Sequence, residues 1–216
     1  MHNHEEPSST SLHQYTRDDL QQLPSRYRAQ LVNSLTGFKA ANLLGTQNSD
    51  GQTNLTMVSS AVHLGADPAL IGLVMRPPVV ERHSLDNIQN TGFYTLNHVH
   101  PEILAQAHQS AAKYPRSVSE FDAVNLEVEY PYDFAAPAVA QSRLQIGLRL
   151  IEIMTIKHNG TEFVIGEIDW VRIKGDVLHD DGYADIEQLG SVTVSGLDSY
   201  HSTAQITRLG YPQPDQ

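Results

Sequence analysis

The dipeptide Asn159-Gly160 stands between two long strand-like runs, Leu144–Lys157 and Thr161–Lys174, and limits the possible folds more than any other feature of the chain. Runs rich in Ile, Val and Thr favour extended backbone. Asn-Gly between such runs is the preferred sequence for a type I′ turn, because both central residues tolerate positive φ. The pattern predicts an antiparallel hairpin with arms much longer than an ordinary strand. Such a hairpin has to be the spine of a sheet, and the rest of the chain has to supply its neighbours.

Those neighbours are legible as shorter runs. Ala40–Thr46 is apolar, Asn48–Gly51 is a turn cluster, and Leu55–Leu64 completes a second predicted hairpin. Ala69–Met75 is almost wholly apolar and predicts a strand buried on both faces, ended by Pro77-Pro78. Ser84–Asn90 predicts a short helix with Ser84 as its cap and Gly92 as its stop, after which Phe93–Asn97 returns as a strand. Pro101 opens another helix, expected to reach Ala112, and Asp185–Leu189 is read as a last short one. The sum is a mainly β chain of six or seven strands with a few short peripheral helices. Closing its antiparallel sheet into a barrel would remove the exposed edges.

Composition narrows the function. The chain carries 14 basic and 25 acidic residues, a net charge of −11, which argues against a broad basic face for nucleic acid or an anionic membrane. Cysteine is absent, so disulfides, thiolate metal sites and thiol nucleophiles are excluded. No apolar run approaches the roughly 18 residues a membrane helix needs, and the first residues lack the basic start and apolar stretch of a secretory signal. A cytoplasmic location is the expectation. Residues 1–33 read as an N-terminal extension, 34–211 as one domain and 212–216 as a tail. His2, His4, Glu5 and Glu6 read as part of a polar tail, and no metal is expected. Neither a Walker loop nor G-x-G-x-x-G occurs, and Gly196-Leu-Asp-Ser-Tyr200 lacks the G-x-S-x-G spacing of a nucleophile elbow.

Chemistry concentrates between Asn54 and Ser84. Ser59 and Ser60 are adjacent hydroxyls inside a strand-like run, Arg76 follows the apolar strand, and Arg82, His83 and Ser84 come at the start of the predicted helix. A helix N-terminus offers free N–H groups and partial positive charge, and guanidinium groups bind phosphate in bidentate fashion. Together they form a plausible phosphomonoester site. Elsewhere, His98 and His100 would share a strand face but lack a third ligand, and read as a solvated pair. Alternation would put Glu167 and Asp169 on one strand face, where they read as a solvated edge or subunit contact, and Trp170 reads as core or dimer packing.

In order and spacing, Asn54-Leu-Thr-Met-Val-Ser59-Ser60, Asp67-Pro68, Arg76, Arg82-His83-Ser84, Asn87-Ile88 and Phe93–Asn97 resemble the flavin reductase-like family, the FMN-binding split β-barrel proteins of flavoredoxin type. Lys113-Tyr-Pro, Ser119–Asp122, Val164–Glu167 and Gly196–His201 continue the likeness, so it spans about Ser34 to Tyr211. The resemblance implies an antiparallel, Greek-key split barrel. It implies that Asn54, Thr56, Met57 and Val58 lie along the flavin ring, that Ser59 and Ser60 face the ribityl chain and phosphate, and that Arg76, Arg82, His83 and Ser84 complete the phosphate cradle. Asn97 would lie near the ribityl chain or ring. Serine at position 84 stands where relatives often have threonine, which keeps the hydroxyl. A homodimer is implied, with Tyr200 and His201 reaching toward the partner's site.

The function expected on these grounds is an FMN-dependent oxidoreductase, an NAD(P)H:flavin reductase in which the flavin performs the chemistry and no residue of the chain is a catalytic acid, base or nucleophile. FMN is preferred over FAD, although a phosphate cradle fits either. An FMN-binding electron carrier or flavin-storage protein without its own nicotinamide site is the alternative. Replacing a charge-assisted phosphate contact gives a direct test: Arg82→Ala should weaken FMN binding by about 2 kcal/mol, read as the dissociation constant in a fluorescence titration.

Overall fold

The computed structural model describes residues 12–77 and 83–214. The chain opens with helices α1 (Arg17–Gln22) and α2 (Ser25–Ser34), neither of which buries a side chain. Thr16 caps α1 through a reciprocal pair of bonds with Asp19. Strands β1 (Lys39–Ala40), β2 (Asn42–Gln47), β3 (Thr53–Val58), β4 (Ala61–Ala66) and β5 (Ala69–Met75) follow. Helix α3 (His83–Thr91) leads into β6 (Phe93–His98), and α4 (Leu104–Gln109) and α5 (Glu120–Val124) come next. The short pair β7 (Val128–Glu129) and β8 (Ala138–Val139) precedes the long hairpin β9 (Leu144–Ile156) and β10 (Thr161–Ile173), and β11 (Thr193–Ser195) and β12 (Ser199–His201) end the fold. Among the described residues no helix is long and apolar enough to cross a membrane.

Seven strands form one sheet in the order β3-β2-β6-β9-β10-β5-β4, antiparallel throughout. The crossover from β5 to β6, which passes β10 and β9, gives it Greek-key character. Its two edges, β3 and β4, are consecutive in the chain and meet at Ser59-Ser60. There the Val74 N–H donates to the Ser60 carbonyl at 3.4 Å and the Ser60 hydroxyl donates back to the Val74 carbonyl at 2.6 Å. The sheet is therefore curled until its edges share a corner, which makes it a split barrel.

Alternation sends Leu43 and Leu44 to opposite faces, and two cores result. Leu44, Leu73, Tyr94, Leu96, Leu148 and Val164 fill the barrel, plugged by Leu85 and Ile88 of α3. Leu43, Leu55, Val99, Phe121 and Val139 pack on the other face beneath Ala107 of α4 and Val124 of α5. Each fully buried leucine contributes about 2 kcal/mol. Asn97, with no exposed surface, staples this second face: its Nδ2 donates to the Leu43 carbonyl and the Thr95 hydroxyl, and its Oδ1 accepts from Val139 N–H.

Several expectations are corrected. The run Leu55–Leu64 is not one strand, because Ser59-Ser60 breaks it into β3 and β4. In β5 only Gly72 and Leu73 are buried: Ile71 and Met75 pack partly buried against the barrel core, and Val74 on the opposite face is exposed. The long hairpin forms as predicted, but its turn spans Lys157–Gly160 and only Gly160 has positive φ, +69°, so it is not type I′. Ser84 lies inside the first turn of α3 rather than capping it, and Asp185–Leu189 is a turn rather than a helix. The second helix expected after Pro101 stops at Gln109. Glu167 and Asp169 do not share a face. The register jumps from Ile168↔Leu148 to Trp170↔Gly147, which bulges Asp169 out, and β10 is an interior strand rather than an edge. The histidine tail at residues 2–6 lies outside the described residues.

His98 and His100 are enclosed rather than solvated. His98 Nδ1 lies 2.9 Å from the Ser191 hydroxyl, and His100 Nε2 lies 3.1 Å from the Gln141 carbonyl. Burial pushes the His98 imidazole down to about 4. The fold thus holds it neutral, and its contribution is full above the ordinary histidine value of about 6.5 and lost as pH falls through about 4. Urea midpoints should drop across this window, and His98→Gln should show a shallower drop than the parent chain.

Candidate functional site

The edge strand β3 shows how the candidate residues are distributed. Leu55 N–H points away from β2 and donates to Glu120 Oε2 at 3.1 Å. By alternation the backbone of Thr53 and Met57 turns to the same outer side. Side chains alternate too. Asn54 and Val58 lie on the α3 side of β3, where Val58 joins the barrel core and the half-buried Thr56 shares their face. The Met57 side chain goes the other way, into the core that contains Leu55 and Phe121. Thr56, Met57 and Val58 therefore do not present side chains to one ligand. Met57 can offer an outer ligand its backbone, while its sulfur accepts from the Tyr200 hydroxyl at 3.3 Å.

At the far end of β3 the corner brings two more candidates together. Ala61 pairs with Leu73 and Ser60 bonds Val74, and continuing this register sets Ser59 beside Met75 and Arg76 alongside Val58. Ser59 and Ser60 are both half-buried, and Arg76 is exposed at the strand end. At the near end, Asn54 Nδ2 donates to the Ser84 hydroxyl at 3.0 Å, with both residues buried, so Ser84 ties α3 to β3. His83 is half-buried at the start of α3 and lines a small recess with Thr53, Asn54, Asn87 and Arg116. The two ends, Asn54 and Ser59, are separated by roughly 17 Å at the usual rise per residue. Arg82 lies outside the described residues. Asn97 is corrected: its amide is spent on the core staple and has no surface to offer a ligand.

Three contributors were not singled out for a role by the sequence. Glu120 is buried, and loss of hydration raises its carboxyl pKa, opposed by the Leu55 N–H, its own backbone N–H and the nearby His83. Ser119 joins its hydroxyl to that of Thr53 at 2.7 Å. Arg116 lies 3.7 Å from Asp86 of α3, and its carbonyl accepts from Gln52 Nε2. All three come from the segment before and within α5, remote in sequence from β3. Only the mixture of Ser119-Glu120 with an apolar run behind it could have hinted at a helix start there. Tyr200 bonds His108 Nδ1 at 2.7 Å, and His201 bonds Ser195 at 2.8 Å.

What the arrangement can do follows from its donors. An outer strand edge offers backbone groups to a flat polar ring, two hydroxyls and a guanidinium sit at one end, and a helix start with an imidazole and a second guanidinium sits at the other. This set suits an elongated ligand that combines a planar heterocycle with an anionic group. Among the described residues no group of three or more His, Cys, Asp or Glu is placed to hold a metal ion.

Glu120 gives a test of the edge. A carboxyl whose pKa is raised on folding stabilises below its unfolded value and loses that contribution as pH rises through its folded one. Glu120→Gln keeps an oxygen for Leu55 N–H without the charge. Measured by urea unfolding, the stability of this variant relative to the parent should be more favourable at pH about 7.5 than at about 4.5, whereas Glu120→Leu should cost about 1–3 kcal/mol at either pH by orphaning the N–H.

The profile of the flavin reductase like domain matches residues 38–187, a span that holds all seven strands of the barrel sheet together with Arg76, His83 and Glu120. A flavin reductase candidate with a split-barrel domain from Shewanella frigidimarina is 46% identical, covers 94% of this chain and 100% of its own, and superposes with a TM-score of 0.90. The fold is shared at lower identity by the flavoredoxin of Desulfovibrio vulgaris, 20% identical with a TM-score of 0.70 over 81% of this chain and 92% of that one. An FMN-binding protein from Thermus thermophilus shares it as well, at 15% identity and a TM-score of 0.67 over 80% of this chain and 90% of that one. The sheet that curls onto its own corner, the donors gathered along its edge strand and the matched sequence agree: this chain belongs to the flavin reductase-like domain family, whose fold is the split barrel and whose chemistry is flavin-linked oxidoreduction.

Proposed function

We propose that the chain is an FMN-binding oxidoreductase of the NAD(P)H:flavin reductase type. The observation that carries this reading is the outer edge of β3, with the Ser59-Ser60 corner and Arg76 at one end and the start of α3 at the other. Backbone groups of β3 about Thr56–Val58 would hold the ring edge. Ser59, Ser60 and Arg76 would hold one end of the ligand and Arg82 and His83 at the start of α3 the other, with Ser84 acting through its bond to Asn54. When bound, FMN supplies the hydride-accepting and hydride-donating chemistry, which is why the chain needs no triad or carboxylate dyad. The protein's part is to bind and orient. Cationic side chains offset phosphate charge, the strand edge fixes the ring, and the core behind Val58 keeps water from one side.

A homodimer is part of the proposal. It is supported by exposed apolar side chains on the long hairpin, Ile151 and Met154, and by Phe38 before β1, surfaces that a second copy would cover. The acidic, cysteine-free composition supports action in the cytoplasm. The second reading, an electron carrier or flavin store, is favoured by the lack of any G-x-G-x-x-G loop for a dinucleotide.

Two measurements on one preparation separate these readings. After mixing with a slight excess of FMN and desalting, the protein should retain a perturbed flavin absorption band, and Arg76→Ala should weaken retention about tenfold. Added NADH or NADPH should then be oxidised with turnover. A retained band without turnover assigns the carrier, and no retained band overturns FMN as a resident cofactor.

A further inference from the structure

A cleft of about 330 Å³ opens where the start of β9 meets the end of β10, lined by Tyr132, Arg143, Gln145, Val171, Arg172 and Lys174 among others. Gln145 faces it from the side of β9 opposite Ile146 and Leu148, which pack in the barrel core. It is built from neither the outer edge of β3 nor the start of α3, so it does not rest on the flavin reading.

Its charge is unusual for this chain. Three of the 14 basic residues lie here in a protein of net charge −11. Two of them are paired, Arg172 with Glu129 at 3.1 Å and Arg143 with Glu102 at 3.0 Å, while Lys174 Nζ donates to the Ala140 carbonyl at 2.6 Å. A carbonyl carries no formal charge, so among the described residues three cations against two paired carboxylates leave an excess of one positive charge. The exposed ammonium also keeps donors beyond the one it spends on Ala140.

Two further observations point to a ligand. Gln145 is 1% exposed, yet among the described residues its Oε1 has no hydrogen-bond partner. Rotating the amide cannot supply one, because its Nε2 donates to Glu129 and to the Val139 carbonyl, both of them acceptors. A buried acceptor without a donor is costly, and native proteins seldom leave one unmatched. At the rim, Tyr132 and Asp133 both adopt the left-handed region, with φ of 58° and 55°. Two successive non-glycine residues there hold strain that the surroundings must maintain. Its effect is to hold the Tyr132 ring, 74% exposed, edge-on to Trp170 at 5.9 Å.

We propose that this cleft binds a small aromatic anion: a ring seated against Tyr132 and Val171, an anionic group, carboxylate or phosphate, on Lys174 and Arg172, and a hydrogen-bond donor that reaches Gln145 Oε1. Charge selects the anion, the ring contacts give it area, and the Gln145 acceptor selects a ligand that carries an N–H or O–H.

The chain has one tryptophan, Trp170, which touches the Tyr132 ring and therefore reports on the cleft. The experiment titrates the full-length protein with 4-aminobenzoate, benzoate, phenyl phosphate and neutral benzamide, following Trp170 fluorescence. Saturable binding is expected for 4-aminobenzoate, weaker for benzoate and absent for benzamide, and it should decline with added salt. Phenyl phosphate binding more tightly than the carboxylates assigns the anion as phosphate, and the reverse assigns carboxylate. Lys174→Gln should weaken binding about tenfold while FMN retention stays at the parent level. Tyr132→Gly suits the positive φ and removes the ring, so it should fold at least as stably and still lose binding. The proposal is overturned if benzamide matches the anions, if both variants bind as the parent does, or if no probe gives a saturable change.

Discussion

The structure depends on one covalent fact about its sheet: the two edge strands, β3 and β4, are neighbours in the chain. A seven-stranded antiparallel sheet whose edges are joined by Ser59-Ser60 cannot lie flat. It must curl until those edges approach, and the paired bonds between Ser60 and Val74 hold the corner. Closure gives the barrel its interior, and α3 then plugs the interior with Leu85 and Ile88. Closure also leaves the outer side of β3 as a strand edge beside a helix start, the combination of backbone and positive dipole that a flat anionic ligand requires.

Polar residues buried around that edge keep it in place. Glu120 occupies the N–H of Leu55, Asn54 ties Ser84 to β3, Asn87 donates to Thr46, and Asn97 spans three segments. Each of these groups would be costly if unpaired, so together they penalise any shift of register between β2, β3 and α3. Glycine contributes at one position in the same spirit: the indole of Trp170 lies on Gly147 so closely that an added Cβ would fall 2.1 Å from Nε1. The bulge that expels Asp169 sits beside this contact.

The hairpin of β9 and β10, the strands before and after α3 and the serine-arginine cluster were all legible in the linear sequence, because each is written in residues adjacent or nearly so. Alternation and turn chemistry act over a few residues, whereas Asn54, Ser59, Arg76 and His83, grouped by the sequence as one candidate site, are spread by the fold over both ends of β3. Glu120 was not legible in its role. A single glutamate in an acidic chain carries no mark of burial, and its partner, the N–H of Leu55, is a backbone group without sequence identity. Asn97 misled for the converse reason, since an asparagine at the end of a strand looks the same whether its amide serves a ligand or a core. The turn at Lys157–Gly160 and the break at Ser59-Ser60 also escaped, because both depend on twist imposed by strands distant in sequence.

The sequence by itself determined a mainly β chain with one dominant hairpin, a phosphate-suited cluster before a short helix, and a charge that disfavours nucleic acid, since propensity, periodicity and composition are properties of short windows and sums. Only the tertiary structure decided which strands are edges, that the edges meet, which side of β3 faces outward, and which polar groups are consumed inside. These are outcomes of pairing between segments tens of residues apart, where hydrogen-bond satisfaction and burial select one register out of many that the local pattern permits.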